Sequence, residues 1–586
     1  MPRKLAIVIS GAVSLGSYEA GVMYEVLEAI ALHNESVGAD HPERVEIDVI
    51  TGASAGAMTA AILSRQLYYG GKALRIPYHG NPLFNAWVQN VSIDQLLSVH
   101  TDEHRYSLLS SAVIDEIGRQ SIPDEPGLAM DPHPAAAQTL QVGFAMSNLN
   151  GYKQEIPGSG GNESFAYSRY KDQFVCRLQR RPPELDQHDS PTSKPGMAIH
   201  LTELEPQLRG RKVVWEPIHN TCRWGILREM ALSSGAFPFA FRARRIVRSG
   251  GSKNSMMSTR DSSIKSTSGD KLHGGDYLYT DGGVFENEPV GMAANLTEIL
   301  DAGHADADRS YLFVAPGKRT IDADPFFNKE DDLVAMATGL VSAIFGQSRF
   351  QQWVSEGLTG KLLTVTATEA SLIGDTFSAF AGFLEYDFRA HDYNIGRRNA
   401  RQKLRDGAFD HLIKDYTSLD KKMRPIDWPE DEQSRYNSST LASLLPTTLG
   451  DNKETPDRYG ECETELWKAV CQRYATLAKP LIRQDSHGRR KRDQGRELRN
   501  LMMEVDESRR ALIAQQVYDR VDSLVDFFNS KYLDPIDAKR RSGIFWWLLR
   551  QTIGKRATKI ALKWSIRSVI KSYILHPMPS SEPEST

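Results

Sequence analysis

The stretch Val45-Glu46-Ile47-Asp48-Val49-Ile50-Thr51-Gly52-Ala53-Ser54-Ala55-Gly56 decides how this chain is read. Val45 to Ile50 is a short apolar run rich in β-branched residues, as a buried strand requires. It ends at Thr51-Gly52, and about Ala55 to Tyr68 has the composition of a helix. The same order stands upstream. Leu5 to Ile9 is apolar and stops at Ser10-Gly11, after which Ser17 to Leu32 puts Tyr18, Val22, Val26, Leu27 and Ile30 on one helical face. Strand, glycine turn and helix, twice over, is the pattern of βαβ units and a parallel sheet. Further strands are expected at 140–146, 197–202 and 311–315, with helices between them. Residues 1–330 therefore read as one α/β domain with a mostly parallel central sheet.

Gly52-Ala53-Ser54-Ala55-Gly56 is a G-x-S-x-G pattern placed between a strand and a helix, the context in which such a serine acts as a nucleophile. A sharp turn there strains the serine backbone and pushes its Oγ clear of the chain. Gly52 and Gly56 let neighbouring backbone approach, and the helix start aims the Ala55 N–H at a developing oxyanion. A structural serine capping the helix is the other reading. Two more turns carry chemistry. Ser10-Gly11-Ala12-Val13-Ser14-Leu15-Gly16 follows the first strand and offers backbone N–H groups to an anion; it lacks the Gly-Lys-Ser/Thr ending of a phosphate loop and the spacing of a dinucleotide fingerprint. Asp281-Gly282-Gly283 follows the run Tyr277 to Tyr279, where an aspartate can face a cleft or close an Asx turn.

These three segments, in this order, resemble the patatin-like phospholipase family, and the resemblance covers about residues 4–315. Supporting matches are Ser17-Tyr18-Glu19-Ala20-Gly21-Val22, Ala145-Met146-Ser147-Asn148-Leu149-Asn150-Gly151, Ala231-Leu232-Ser233-Ser234-Gly235-Ala236-Phe237-Pro238, and Asn287 with Pro289 after the Asp-Gly-Gly. A weaker likeness to large bacterial members runs on through Gly382-Phe383-Leu384, Asp392-Tyr393 and Gly396-Arg397-Arg398-Asn399. The resemblance implies a three-layer α/β domain and a serine acyl-ester hydrolase of phospholipase A, lysophospholipase or lipase type. It implies a catalytic dyad of Ser54 and Asp281, an oxyanion hole from Gly11, Ala12, Val13 and Ala55, and no cofactor. The first turn departs from the family pattern: Ala12 and Val13 replace glycines and Leu15 replaces a basic residue. Valine disfavours positive φ, which bears on the shape of this turn. Three alternatives stay open: a triad completed by His391 in the order Ser, Asp, His; an acyltransferase using the same serine; and a catalytically weak lipid-binding or regulatory protein. A packing or surface role is the other reading of His391.

Beyond residue 330 the pattern is helical to about 425. Residues 426–457 read as a linker, 458–575 as a helical region and 576–586 as a disordered polar tail. Residues 154–165, 180–196 and 249–275 read as polar surface loops, the last of them a candidate lid close to Asp281. Lys555, Lys559, Lys563, Arg567 and Lys571 recur at steps of four within 543–575, among Trp546, Trp547 and Trp564, with no acidic residue from Lys539 to Lys571. Such a stripe suits an anionic membrane surface and equally a basic face packed on the enzyme. Arg389, Arg397 and Arg398 read as either head-group ligands or surface arginines. A net charge of −3 over 586 residues supplies no field for nucleic acid. Four cysteines without C-x-x-C or zinc spacing suit reduced thiols in a cytoplasmic protein, free or peripherally bound to a membrane. No apolar run reaches the eighteen residues of a spanning helix.

Overall fold

The computed structural model describes residues 2–98, 106–124, 130–157, 164–180, 199–209, 212–217, 223–248, 275–301, 308–317, 362–367, 371–375, 379–429, 463–484, 490–532, 570–575 and 577. Strand β1 (Arg3–Ile9) leads to helix α1 (Gly16–Val37), then β2 (Val45–Gly52) to α2 (Ala55–Tyr69). After α3 (Ser111–Ser121) come β3 (Ala136–Pro157), β4 (Ser164–Arg180), β5 (Ile199–Arg209) and β6 (Lys212–Pro217). Helix α4 (Trp224–Ser234), β7 (Arg244–Arg248), β8 (Gly275–Thr280), α5 (Val290–Leu300), β9 (Arg309–Ala315) and β10 (Leu362–Thr366) complete the α/β unit. These strands form one mixed ten-stranded sheet in the order β10-β9-β1-β2-β3-β4-β5-β6, with β8 pairing the middle of β3 and β7 pairing β8.

The centre, β10-β9-β1-β2-β3, is parallel. Leu5 to Ile9 is wholly buried because helices cover both faces. Leu5, Ile7 and Ile9 pack with α1 and α2; Ala6 and Val8 pack on the other face with Val290, Met292 and Leu296 of α5. The mostly parallel sheet that was expected carries one antiparallel wing, and two readings of local segments need correction. The wing from β3 to β6 is antiparallel, since the short β3–β4 and β5–β6 connections leave no room for a crossover helix. The ladder of β3 and β4 also runs through the polar segment read as a loop at 154–165, pairing out to Pro157 and Ser164. Strand β10 lies within the region read as wholly helical and extends the parallel edge beyond β9. The candidate lid up to residue 274, the loop at 181–198, most of the linker and the basic stripe from Lys555 to Arg567 lie outside the described residues. Of the basic segment, Lys571–Leu575 packs on helices further along the chain, α8 (Gln494–Glu504) and α9 (Glu507–Tyr532), which follow α7 (Glu465–Tyr474).

Helix α6 (Tyr386–Arg405) seals the helical region onto the α/β unit. A Cβ on Gly21 would stand 1.9 Å from the Tyr393 carbonyl oxygen, and one on Gly396 would stand 2.1 Å from that of Tyr18. The two glycines therefore let α1 and α6 meet backbone to backbone. Around this crossing Arg401 and Arg397 reach Glu25, all three buried, with guanidinium–carboxylate distances of 2.5 and 3.4 Å. Arg389 donates to the carbonyls of Val88, Gly382, Phe383 and Glu385, and Arg398 pairs with Glu463. These arginines are structural ties, neither head-group ligands nor plain surface residues. Gly396→Ala is expected to lower stability by about 1–3 kcal/mol, because the added methyl meets backbone that cannot swing aside. Thermal unfolding tests this; an unchanged midpoint would show that the helices can separate at no cost. Among the described residues, no helix is long and apolar enough to cross a membrane.

Candidate active site

Ser54 sits at the carboxyl end of β2 and is the N-cap of α2, with φ 53° and ψ −124°. A non-glycine residue holds such angles only where its surroundings force them. Here the forcing is visible. A Cβ on Gly56 would lie 2.4 Å from the carbonyl oxygens of both Ile9 and Ser10, and one on Gly52 would lie 2.4 Å from that of Gly56. Only glycines let the turn fold this tightly between β1 and β2. The Ser54 N–H donates to Ser234 Oγ at 2.9 Å, and Ser234 Oγ donates to the Ala145 carbonyl at 2.6 Å, so the end of α4 pins the turn to β3.

Asp281 follows β8, which runs antiparallel to the middle of β3 through Ser147–Thr280 pairing. Its N–H donates to the Ala236 carbonyl, and its own carbonyl accepts from Ser147 Oγ at 2.7 Å. Its carboxylate takes two hydrogen bonds: Gly283 N–H donates to Oδ1 at 2.7 Å, and Ser54 Oγ donates to Oδ2 at 2.5 Å. Thus Asp281 closes an Asx turn with one oxygen and faces the serine with the other, and the two roles proposed for it coexist. Burial pushes its carboxyl up to about 7, while the bonds from Ser54 and Gly283 pull it down. Gly282 is needed for contact: a Cβ there would stand 2.0 Å from the Ala145 carbonyl oxygen.

The first turn lies beside the serine, close enough that a Cβ on Gly11 would be 3.1 Å from Ser54 Cβ. Gly11 donates its N–H to the Asn287 carbonyl, so it drops out of the expected oxyanion donors. Asn287 Nδ2 donates back to the Gly11 carbonyl at 3.4 Å and ties this turn to the base turn. Val13 has φ 50°, the left-handed conformation that a β-branched residue resists. Val13 holds this conformation at a strain of roughly 1–3 kcal/mol. Among the described residues, the N–H groups of Ala12, Val13 and Ala55 have no partner in the fold, which leaves them free for an incoming anion. The helical region braces the turn: Asp392 accepts from the N–H groups of Ile373 and Gly374, and Gly374 and Gly382 crowd Ser14 and Leu15.

An apolar cavity opens from Ser54 and Val13. Met58, Trp87, Ile114, Leu232 and Phe237 are among its walls, and Gly118, Ser121 and Arg228 line it as well. His391 does not join the serine and aspartate. It is buried in α6 against Trp467 and Tyr474 of α7, with Nδ1 bonded to Asp392 Oδ1 at 3.0 Å. The triad reading through His391 is thereby overturned. Ser234, Ser147 and Asn287 were quoted in the sequence only as parts of matching segments. Their hydrogen bonds to the site depend on strand neighbours that no local pattern reveals.

Fold and site together describe an α/β protein with a strained serine hydrogen-bonded to a buried aspartate at the mouth of an apolar cavity. No protein-family model matches the chain. It is 25% identical over 517 residues, 76% of its own length and 69% of the relative's, to a Sinorhizobium fredii (strain NBRC 101917 / NGR234) protein described as uncharacterized protein y4iI.

Proposed function

We propose that this chain is a patatin-like serine acyl-ester hydrolase acting on phospholipid or a related membrane-derived lipid, with the three-layer domain of that family followed by a mainly helical region. The observation that carries this reading is the 2.5 Å hydrogen bond from Ser54 Oγ, held at φ 53°, to the buried carboxylate of Asp281. A strained serine bonded to a base is the arrangement of an activated nucleophile. Asp281 accepts the serine proton as Oγ attacks the ester carbonyl. The oxyanion gathers at the N–H groups of Ala12, Val13 and Ala55. Collapse of the tetrahedral adduct expels an alcohol or lysolipid, which takes its proton from Asp281. Water, deprotonated by Asp281, then releases the fatty acid. The apolar cavity suits the acyl chain, and a cytoplasmic protein bound at the membrane surface would meet such substrates there.

The test is covalent. A fluorophosphonate ester should label the folded protein once, at Ser54, and fatty acid release from mixed phospholipid vesicles should fall in proportion to labelling. Labelling elsewhere, or full hydrolysis after Ser54 is blocked, would end this proposal.

A further inference from the structure

A second nucleophile stands outside the site just described, where α6 meets α7. Cys471 is half-buried and free. Arg398 Nη1 donates to its Sγ at 3.1 Å, and the His391 ring packs against Trp467 and Tyr474, which flank Cys471 on the same face of α7. The ring's Nδ1 is oriented by Asp392 Oδ1 at 3.0 Å. Thiol, imidazole and carboxylate follow one another as in an activated nucleophile, with a guanidinium added on the sulfur. The other charged groups here are Glu463, which pairs with Arg398, and Asp387, which takes the Tyr474 hydroxyl at 3.3 Å. Arg398 is partly exposed, so the cluster is open to solvent on that side.

We propose that Cys471 is a modification site for hydroperoxides, oxidised to a sulfenic acid with His391 as proton donor and Arg398 as anion stabiliser. The thiolate sulfur attacks the terminal oxygen of the peroxide. The S–O bond forms as the O–O bond breaks. The leaving alkoxide takes the proton of the His391 imidazolium and departs as an alcohol. Sulfur is oxidised, the peroxide is reduced, and no further reagent is needed. Peroxide is favoured over other electrophiles because its leaving oxygen needs both a proton and a nearby positive charge, and both are present. Burial raises the thiol, but His391 and the charge of Arg398 outweigh it, and the net direction is down. Burial likewise lowers His391, which its interactions with Asp392 and Cys471 reverse. The same Asp392 holds Ile373 and Gly374 against Ser14 and Leu15, so the thiol stands one carboxylate away from the turn beside Ser54. The chemistry at Cys471 itself is independent of the hydrolase reading.

The experiment treats the full chain with hydrogen peroxide and a dimedone trap and maps sulfenic acid by mass spectrometry. Cys471 is expected to be trapped about 10-fold faster at pH 7 than Cys222 or Cys462, with a rate that levels off below the free-thiol value of about 8.5. His391→Gln should slow it about 10-fold and move the pH profile upward, because the proton donor and the thiolate's partner go together. Should that variant fail to fold, Arg398→Lys and the wild-type pH profile carry the test. Trapping at Cys471 no faster than at Cys222 and Cys462, or a rate still climbing through about 8.5, overturns the proposal.

Discussion

Ser54→Ala is expected to lower ester hydrolysis by about 10⁴- to 10⁶-fold, since removing the nucleophile leaves only the anion site and the binding pocket. Vesicle binding should survive, because the cavity walls are untouched. Stability gives a second, independent reading of the same residue. Alanine inherits the φ 53°, ψ −124° backbone and so keeps its strain, while the bond from Oγ to Asp281 is lost. Glycine adopts those angles freely. Ser54→Gly should therefore be as inactive as Ser54→Ala and more stable by about 1–2 kcal/mol. Equal stability of the two variants would mean that the turn carries no strain. Retained hydrolysis in either would mean that another group is the nucleophile.

Ser54, Gly52 and Gly56 were legible because a strand-to-helix turn is local: its periodicity change and its glycines lie within a dozen residues. Asp281 needed the resemblance, since an Asp-Gly-Gly turn alone is as well explained by an Asx turn, and the aspartate in fact makes both interactions. The turn read as an oxyanion hole does lie beside Ser54, but the loss of the Gly11 N–H depends on Asn287, which is 276 residues away. The antiparallel wing within the mostly parallel sheet leaves little mark in the sequence, because alternation is weak where a strand is buried on both faces. In β4, Phe174, Cys176 and Leu178 are buried, and so is Val175 between them. Strand β10 is five residues long and stands far beyond the apparent end of the domain. Arg389 and Arg397 read as head-group ligands or surface arginines because charge in a sequence says nothing of burial; Glu25 and a row of carbonyls take them inside. His391 matched a familiar residue order, yet its neighbours come from α7, about eighty positions later.

Asp281→Asn is the sharpest test of the dyad, because activity and stability should move in opposite directions. Only the ionised carboxylate can take the serine proton, and burial holds this group at about 7. Wild-type hydrolysis should therefore rise with pH through about 7 and then level off. The asparagine variant should be roughly 10³- to 10⁴-fold slower, with that acid limb gone. For stability, the folded carboxyl binds its proton more tightly than the unfolded one, whose ordinary value is 3.8. The native state is thus favoured at low pH, and that advantage is lost as pH rises from about 4 to about 7. A rise from 3.8 to about 7 corresponds to roughly 4 kcal/mol at 1.36 kcal/mol per pH unit. Asparagine removes the titration and still fits its neighbours: its oxygen can accept from Gly283 N–H while its amide donates to Ser54 Oγ. The variant should accordingly match wild type near pH 4 and exceed it by a few kcal/mol at pH 8, as denaturant unfolding at the two pH values would show. A variant less stable than wild type at pH 8 would mean that ionised Asp281 is held by more than burial opposes. The carboxylate would then titrate below the working range, and the acid limb of hydrolysis would have to belong to another group.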